Sequence, residues 1–350
     1  MKNRIKMFDK IKKPQIVCTL GTTTDKPEVL EGMVENGMEF ARMNTAYATL
    51  SEYQQRVDML RYVAKKKEKK VSVMMDCKGP QLRLLVEGRF NIGNGDRINI
   101  GFGTGPVQFN YDFHEYVSRG DDLFIENGTI KTKVLQSQKS HLTLEIYDAG
   151  EGNIRQMMGV NVPGKCLHLN ELTEKDLAVI AFSVQNNVEY IAQSFVRNST
   201  DVVNFHNAIE ECKKELNNPD YNPGIVAKIE DHYGTINLDA IITTSKNEGI
   251  DLSIMIARGD LFVEVPPEKL MKYQNNMVTT CQLHNIPVIV ATGLLESMQY
   301  GLEPTRSEVM DTAYAVMSGA DALMLSGETS NGVDPVNAVA MVNKIIKEYR

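Results

Sequence analysis

Eight short apolar runs, rich in β-branched residues and mostly separated by stretches of helical periodicity, constrain this chain more than any other feature. They are PQIVCTLG (14–21), EFARMNTA (39–46), VSVMMDC (71–77), EYIAQSF (189–195), GIVAKIE (224–230), LSIMIARGD (252–260), PVIVATG (287–293) and DALMLSGE (321–328). Strands that alternate with helices are the pattern of parallel βα units. Amphipathic segments of helical length lie between them, as at Lys26 to Gly37, Ser51 to Lys70, Glu174 to Asn187 and Pro267 to Asn285. Eight such units in 350 residues fit a TIM (β/α)8 barrel better than an open doubly wound sheet, although periodicity is compatible with both.

One gap is too long for a helix. Between the third and fourth runs, residues 84–163 alternate polar and apolar positions around Gly-rich turns, as in RFNIGNGDRINI and SHLTLEIYDAG. This predicts a small all-β domain inserted after strand three, with the barrel made from residues 1–83 and 164–350. Loops that follow barrel strands lie at the C-terminal face, so the insert is placed to act as a lid. The basic segment before Pro14 reads as a short leading helix, and PVNAVAMVNKIIKEYR as a closing one.

Composition excludes several classes. With 38 basic and 45 acidic residues, the formal charge of −7 argues against a nucleic-acid binder, which needs clustered basic charge to displace counterions. The lysines of AKKKEKK (64–70) suit the last turn of a solvated helix. Five cysteines with no C-x-x-C spacing suggest a reducing compartment, and no run approaches the roughly 20 apolar residues of a membrane span. The expectation is a cytoplasmic protein with no membrane partner.

In such a barrel the polar residues at strand C-termini are the candidates for chemistry. Here they are Arg42, Asn44, Asp76, Lys78, Lys228, Glu230, Arg258, Asp260, Thr292, Ser326 and Glu328. Lys228 and Glu230, two apart, point to one face of a strand. Glu230 and Asp260, on adjacent strand ends, can share a divalent cation of the Mg²⁺ type that keeps several waters. A lysine and an arginine nearby would neutralise charge on a phosphoryl or enolate oxygen, and the glycine of ARGD allows backbone amides to approach an anion. Any one of these residues could equally be part of a structural ion pair.

Taken in order, IVCTLG, FARMN, MDCKGPQLR, GVNVPG, LTEKDL, SFVR, VAKIE, IMIARGDL, PVIVAT, LLESM, EPTRSEV and DALMLSGET give the chain a resemblance to the pyruvate kinase family over essentially its whole length. The resemblance implies a barrel with a lid after strand three, and transfer of the phosphoryl group of phosphoenolpyruvate to ADP with release of pyruvate. It also implies Glu230 and Asp260 as ligands of Mg²⁺ or Mn²⁺, Lys228 on the phosphoryl group and enolate oxygen, and Arg42 on the phosphoryl group. The amides of Gly259 and Asp260 would hold the substrate carboxylate, with Thr292 near the carbon that is protonated. Asn44, Asp76 and Cys77 fall on the positions of a monovalent cation (K⁺) site, and Arg83, Tyr47 and Asn331 on the nucleotide side.

Departures from the family pattern fall mostly on positions that in the family face the nucleotide, the K⁺ ion or the lid. Gly21-Thr22-Thr23-Thr24 stands for Gly-Pro-Ala-Ser, Ala46-Tyr47 for Ser-His, Cys77 for Thr, Gln81 for Glu, and Glu126-Asn127 for paired aspartates. Met158, Asn331, Phe262 and Gly293 replace two lysines, a glycine and a glutamine. Loss of two charge-assisted contacts of about 1.5 to 3 kcal/mol each would weaken ADP binding about a hundredfold or more. Two alternatives therefore stand beside the kinase: a divergent enolpyruvate or oxo-acid enzyme that does not use ADP, and a weakly active phosphoenolpyruvate-binding paralogue. EPTRSEV resembles a segment of a barrel-to-barrel interface, which implies a homodimer, and its bland reading is a solvated helix start. Set against the family, 350 residues leave no room for a C-terminal regulatory domain, so a short form with hyperbolic kinetics is the expectation.

Overall fold

This computed structural model describes residues 13–46, 48–167, 169 and 172–350. The leading basic helix expected before Pro14 falls almost wholly outside the described residues, and Tyr47 does so entirely. The chain begins with β1 (Gln15–Leu20), α1 (Pro27–Glu35), β2 (Met38–Asn44), α2 (Leu50–Lys66) and β3 (Ser72–Asp76). It then enters a run of nine short strands, β4 (Leu84–Val86), β5 (Arg89–Asn91), β6 (Arg97–Phe102), β7 (Val107–Phe109), β8 (Asp122–Ile125), β9 (Ile130–Gln138), β10 (His141–Asp148), β11 (Asn153–Arg155) and β12 (Val160–Asn161). The alternation resumes with α3 (Glu174–Asn186), β13 (Tyr190–Gln193), α4 (Ser199–Glu215), β14 (Gly224–Ile229), α5 (His232–Ile236), α6 (Leu238–Asn247) and β15 (Leu252–Ala257). It ends with α7 (Arg258–Glu264), α8 (Leu270–His284), β16 (Val288–Ala291), α9 (Arg306–Met317), β17 (Ala322–Leu325), α10 (Gly327–Ser330) and α11 (Pro335–Tyr349).

All eight apolar runs become strands of one closed parallel barrel, in the order β1-β17-β16-β15-β14-β13-β3-β2. Two of the runs pass from strand into helix. Arg258, Gly259 and Asp260 form the first turn of α7 rather than the end of β15, and Gly327 and Glu328 open α10 after β17. Between β3 and β13, seven of the short strands make a mostly antiparallel sheet, β12-β8-β9-β10-β6-β7-β4, with β11 and β5 paired beside it. The insert has its own core, around Ile100, Leu123, Ile125, Val134, Leu142 and Ile146. Its two connections to the barrel lie side by side: Arg83 bridges Gly159, and the Val160 amide donates to the Leu82 carbonyl at 2.9 Å.

The barrel is filled from the inside by a layer that includes Val17, Phe40, Met74, Tyr190, Val226, Met255, Ile289 and Met324. Phe40 and Tyr190 meet edge to face at 5.6 Å between ring centroids. Gly224 is required beneath that ring, since a Cβ there would come within 2.4 Å of Tyr190 Cε1. The outer faces of the strands and the inner faces of the helices form a second, larger core. Removing a fully buried methionine leaves a cavity in a site that relaxes only partly. Met74→Ala is therefore expected to lower the unfolding free energy by about 2 to 5 kcal/mol in urea titrations.

Four helices start with reciprocal capping boxes, at Thr49/Glu52, Thr173/Asp176, Asn198/Asp201 and Thr305/Glu308. The last begins α9 directly after Pro304, within EPTRSEV. Burial opposes the charge of Glu308, but hydrogen bonds from Ser297 and Thr305 outweigh it and hold the carboxyl below its ordinary value. A depressed folded value means that this contribution is complete above the ordinary carboxylate range and fades as pH falls through the lower one. The stability gap between the native chain and Glu308→Gln should therefore be constant near neutral pH and close on acidification, measured by urea unfolding at a series of pH values.

Candidate active site

The polar residues of the barrel mouth stand on the interior layer because strand parity continues through it. Phe40, Arg42 and Asn44 share one face of β2, Met74 and Asp76 one face of β3, and Val226 and Lys228 one face of β14, with Glu230 just beyond. Neighbouring strands set Asn44 opposite Asp76 and Thr19 opposite Arg42. The result is a cleft of about 280 Å³ between the barrel mouth and the insert. It brings together Arg42, Asn44, Asp76, Cys77, Lys78, Arg83, Lys228, Glu230 and Asp260, all singled out by the sequence.

Lys228 is the centre of this group and is 8% exposed. Its Nζ lies 3.1 Å from Asp76 Oδ1 and 3.1 Å from Glu230 Oε1, and donates to Ser194 Oγ at 2.7 Å. Ser194 donates in turn to the Cys77 carbonyl at 2.7 Å. Arg42 Nε donates to Asp76 Oδ2 at 2.6 Å, and Nη1 to Thr19 Oγ1 at 3.0 Å. The Phe195 amide, at a φ of 55°, donates to Glu230 Oε2 at 2.7 Å.

Burial alone would drive the Lys228 ammonium down, but the carboxylates of Asp76 and Glu230 reverse this and hold it above its ordinary value. Burial likewise opposes charge on Asp76, yet Lys228 and Arg42 keep its carboxyl below the usual range. Glu230 goes the other way: burial, with Asp260 and Asp76 nearby, pushes it up to about 7 against the pull of Lys228. Asp260 is also raised, first by burial.

These two acids fit a divalent cation. The Asp260 carboxylate accepts no hydrogen bond among the described residues, and both acids lie where burial disfavours their charge unless a cation compensates. Among the described residues no group of three or more His, Cys, Asp or Glu side chains is arranged to hold a metal. Two carboxylates beside an open cleft suit Mg²⁺, which retains water and substrate oxygens, better than a closed protein cage. The monovalent positions do not fit in the same way. Asp76 is held by Arg42 and Lys228, Asn44 Oδ1 accepts from the Ala46 amide at 3.2 Å, and the Cys77 carbonyl accepts from Ser194.

Gly259 and Thr292 pack together at the edge of this arrangement and do not line the cleft. A Cβ on Gly259 would lie 3.2 Å from Thr292 Cγ2. Thr292 has a left-handed backbone, φ 72°, and its carbonyl accepts from Arg258 Nη2 at 2.6 Å and Nε at 3.0 Å. Arg258, a candidate for the cleft by sequence, therefore turns away from it and pairs with Asp311 at 2.8 Å. The reason is the early start of α7, which ends strand parity at Ala257. Glu328 is also structural, accepting from the Leu295 amide at 3.2 Å and the Ser326 amide at 2.7 Å.

Asn331 lies in a second pocket of about 340 Å³ with Thr19, Gly21 and Ser330, and Arg42 and Asn44 belong to both pockets. Arg56 lines it too, but its guanidinium is taken in fork fashion by Asp25 at 2.7 and 2.9 Å. Arg83 instead sits at the insert's hinge, donating to Gln81 Oε1 and to the Met157 carbonyl at 2.6 Å. Ser194 and Phe195 had no assigned role by sequence. Parity could have found Ser194, since Tyr190, Ala192 and Ser194 alternate onto the interior face.

A closed (β/α)8 barrel with a β lid after its third strand, and a buried lysine among three carboxylates at the mouth, defines a lid-capped barrel protein built around a charged cleft. A family model described as pyruvate kinase, barrel domain, matches residues 11–339, and the chain belongs to the pyruvate kinase family. It is 36% identical over 343 residues to the pyruvate kinase of Sporosarcina psychrophila and 33% over 346 to that of Staphylococcus aureus MRSA252. In each case 96% of this chain is covered but only 56% of the relative. A crystal structure of a pyruvate kinase from Cryptosporidium parvum superposes with a TM-score of 0.88 at 32% identity, over 96% of this chain and 69% of that one.

Removing the Arg258 fork leaves the Thr292 carbonyl without its partner and returns Asp311, whose side chain is 39% exposed, to solvent. Arg258→Met should lower unfolding free energy by about 1 to 3 kcal/mol, read by denaturant titration.

Proposed function

We propose that this chain transfers the phosphoryl group of phosphoenolpyruvate to ADP and that the enolate left behind is protonated to pyruvate. The carrying observation is the Lys228 ammonium, kept charged by Asp76 and Glu230 and facing a cleft that also holds Asp260 and Arg42. A divalent ion such as Mg²⁺ or Mn²⁺, when bound by Glu230 and Asp260, supplies Lewis-acid neutralisation of phosphate and carboxylate oxygens.

In this reading the P–O bond of phosphoenolpyruvate breaks, a β-phosphate oxygen of ADP takes the phosphoryl group, and the electron pair stays on the enol oxygen. Lys228 neutralises the charge that develops there, and Arg42 that on the phosphoryl oxygens. Because Ser194 and two carboxylates fix the ammonium beforehand, little reorganisation accompanies the transfer. The amides of Gly259 and Asp260, in the first turn of α7, hold the substrate carboxylate. Thr292 stands beside Gly259 at the edge of the cleft rather than in it, and family membership supports a role for it in orienting the water that delivers the proton to carbon. ADP enters from the second pocket, so that donor and acceptor meet across Arg42.

One observation favours the alternative of a different acceptor. Both arginines of the second pocket, Arg42 and Arg56, are already ion-paired, and Asn331 brings no charge. A single assay separates the readings: phosphoenolpyruvate, Mg²⁺ and ADP, with and without K⁺, with pyruvate and ATP measured. The expected result is ATP formation that falls by about 10²- to 10³-fold in Lys228→Met, as for loss of a preorganised charge-stabilising group. Exchange of the methyl protons of pyruvate without ATP would establish the non-ADP enzyme instead. Binding of phosphoenolpyruvate that requires metal, with neither activity, would leave the binding paralogue.

A further inference from the structure

We infer that Asn161 and Glu264 form a latch that sets the insert's position over the cleft, acting as positioning residues for the site on α7. The insert joins the barrel through two connections that are themselves paired, at Arg83 with Gly159 and Leu82 with Val160. Two paired connections define a hinge, and a side-chain contact immediately beside it limits how far the lid turns.

That contact is made to α7. Asn161, in β12, pairs through the backbone with Phe124 of β8 and so belongs to the insert's main sheet. Its Nδ2 donates to Glu264 Oε1 at 2.9 Å. Glu264 ends α7, and both residues line the cleft. Next to this bond, a Cβ on Gly128 of the insert would meet Val263 Cγ1 of the same helix at 3.7 Å.

Asn161 is 8% exposed, and burial pushes the Glu264 carboxyl up to about 7. Burial of Asn161 makes this hydrogen bond costly to open, because its amide would be left without a partner. α7 thus carries Gly259 and Asp260 at one end and the docked lid at the other. Tilting the lid pulls on the element that holds the substrate carboxylate and one metal ligand.

The inference rests on the proposed function only for its kinetic consequence, so the test has two independent arms on the intact chain. In hydrogen–deuterium exchange, Asn161→Ala is expected to speed exchange of the Glu126 and Val160 amides about tenfold while the β14 and β15 amides keep their protection. Glu264→Gln, which keeps an oxygen acceptor for Asn161, should restore most of the protection lost in Glu264→Ala. In the phosphoenolpyruvate, Mg²⁺ and ADP assay, Asn161→Ala should raise KM for phosphoenolpyruvate about tenfold with kcat changed less than threefold.

Unaltered lid exchange in Asn161→Ala overturns the latch whatever the activity. Equal loss of protection in lid and barrel also overturns it, since the pair would then support general stability alone. If the native chain forms no ATP, the proposed reaction fails, while the exchange arm still decides the latch.

Discussion

The site depends on the burial of one ammonium among acids. Lys228 lies within 3.1 Å of both Asp76 and Glu230, and Asp260 lies on the same cleft. Lys78 and Arg83 line the cleft beside Arg42. Burial is the first cause that raises Glu230 and Asp260, and the neighbouring acids add to it. A divalent ion bound there would favour the charged form of both carboxyls. An apolar replacement of the group could be equally stable, but it would have no use for a metal or an anionic ligand.

The barrel was legible because its strands are buried on both faces and must be apolar throughout, which leaves unmistakable runs in the sequence. Parity within those runs also located Arg42, Asp76, Lys228 and Glu230, because a strand fixes the face of every second residue. Parity ends with the strand. Arg258 follows β15 by one residue, yet a helix begins there and rotates its side chain toward Asp311 and the Thr292 carbonyl. Glu328 misled for the same reason, since it sits in the short helix after β17 and caps loop amides. Asn161 and Glu264 are separated by 103 positions, and nothing local to either residue announces the other.

Membership of the pyruvate kinase family places these residues in a known frame, and the match covers nearly all of this chain but 56% of the curated relatives. The charged residues proposed to meet phosphoenolpyruvate lie in one cleft. The nucleotide side is where the chain departs most, and its geometry has its own logic. Thr24 Oγ1 closes the Gly21–Thr24 turn on itself, and Thr23 Oγ1 donates to the Thr329 carbonyl at 3.0 Å. Two of the three threonine hydroxyls of this segment are thus taken by the protein's own backbone.

The paired entry and exit of the insert also bear on how the barrel closes. Strands β3 and β13 are sequential neighbours in the barrel yet stand on either side of the whole insert. Once the insert has folded, Arg83 lies against Gly159, and the chain between the two strands is effectively shortened about threefold, easing loop closure by roughly 1 kcal/mol. A lid that folds first thus acts as a clip, delivering the second half of the barrel to the edge left open by the first.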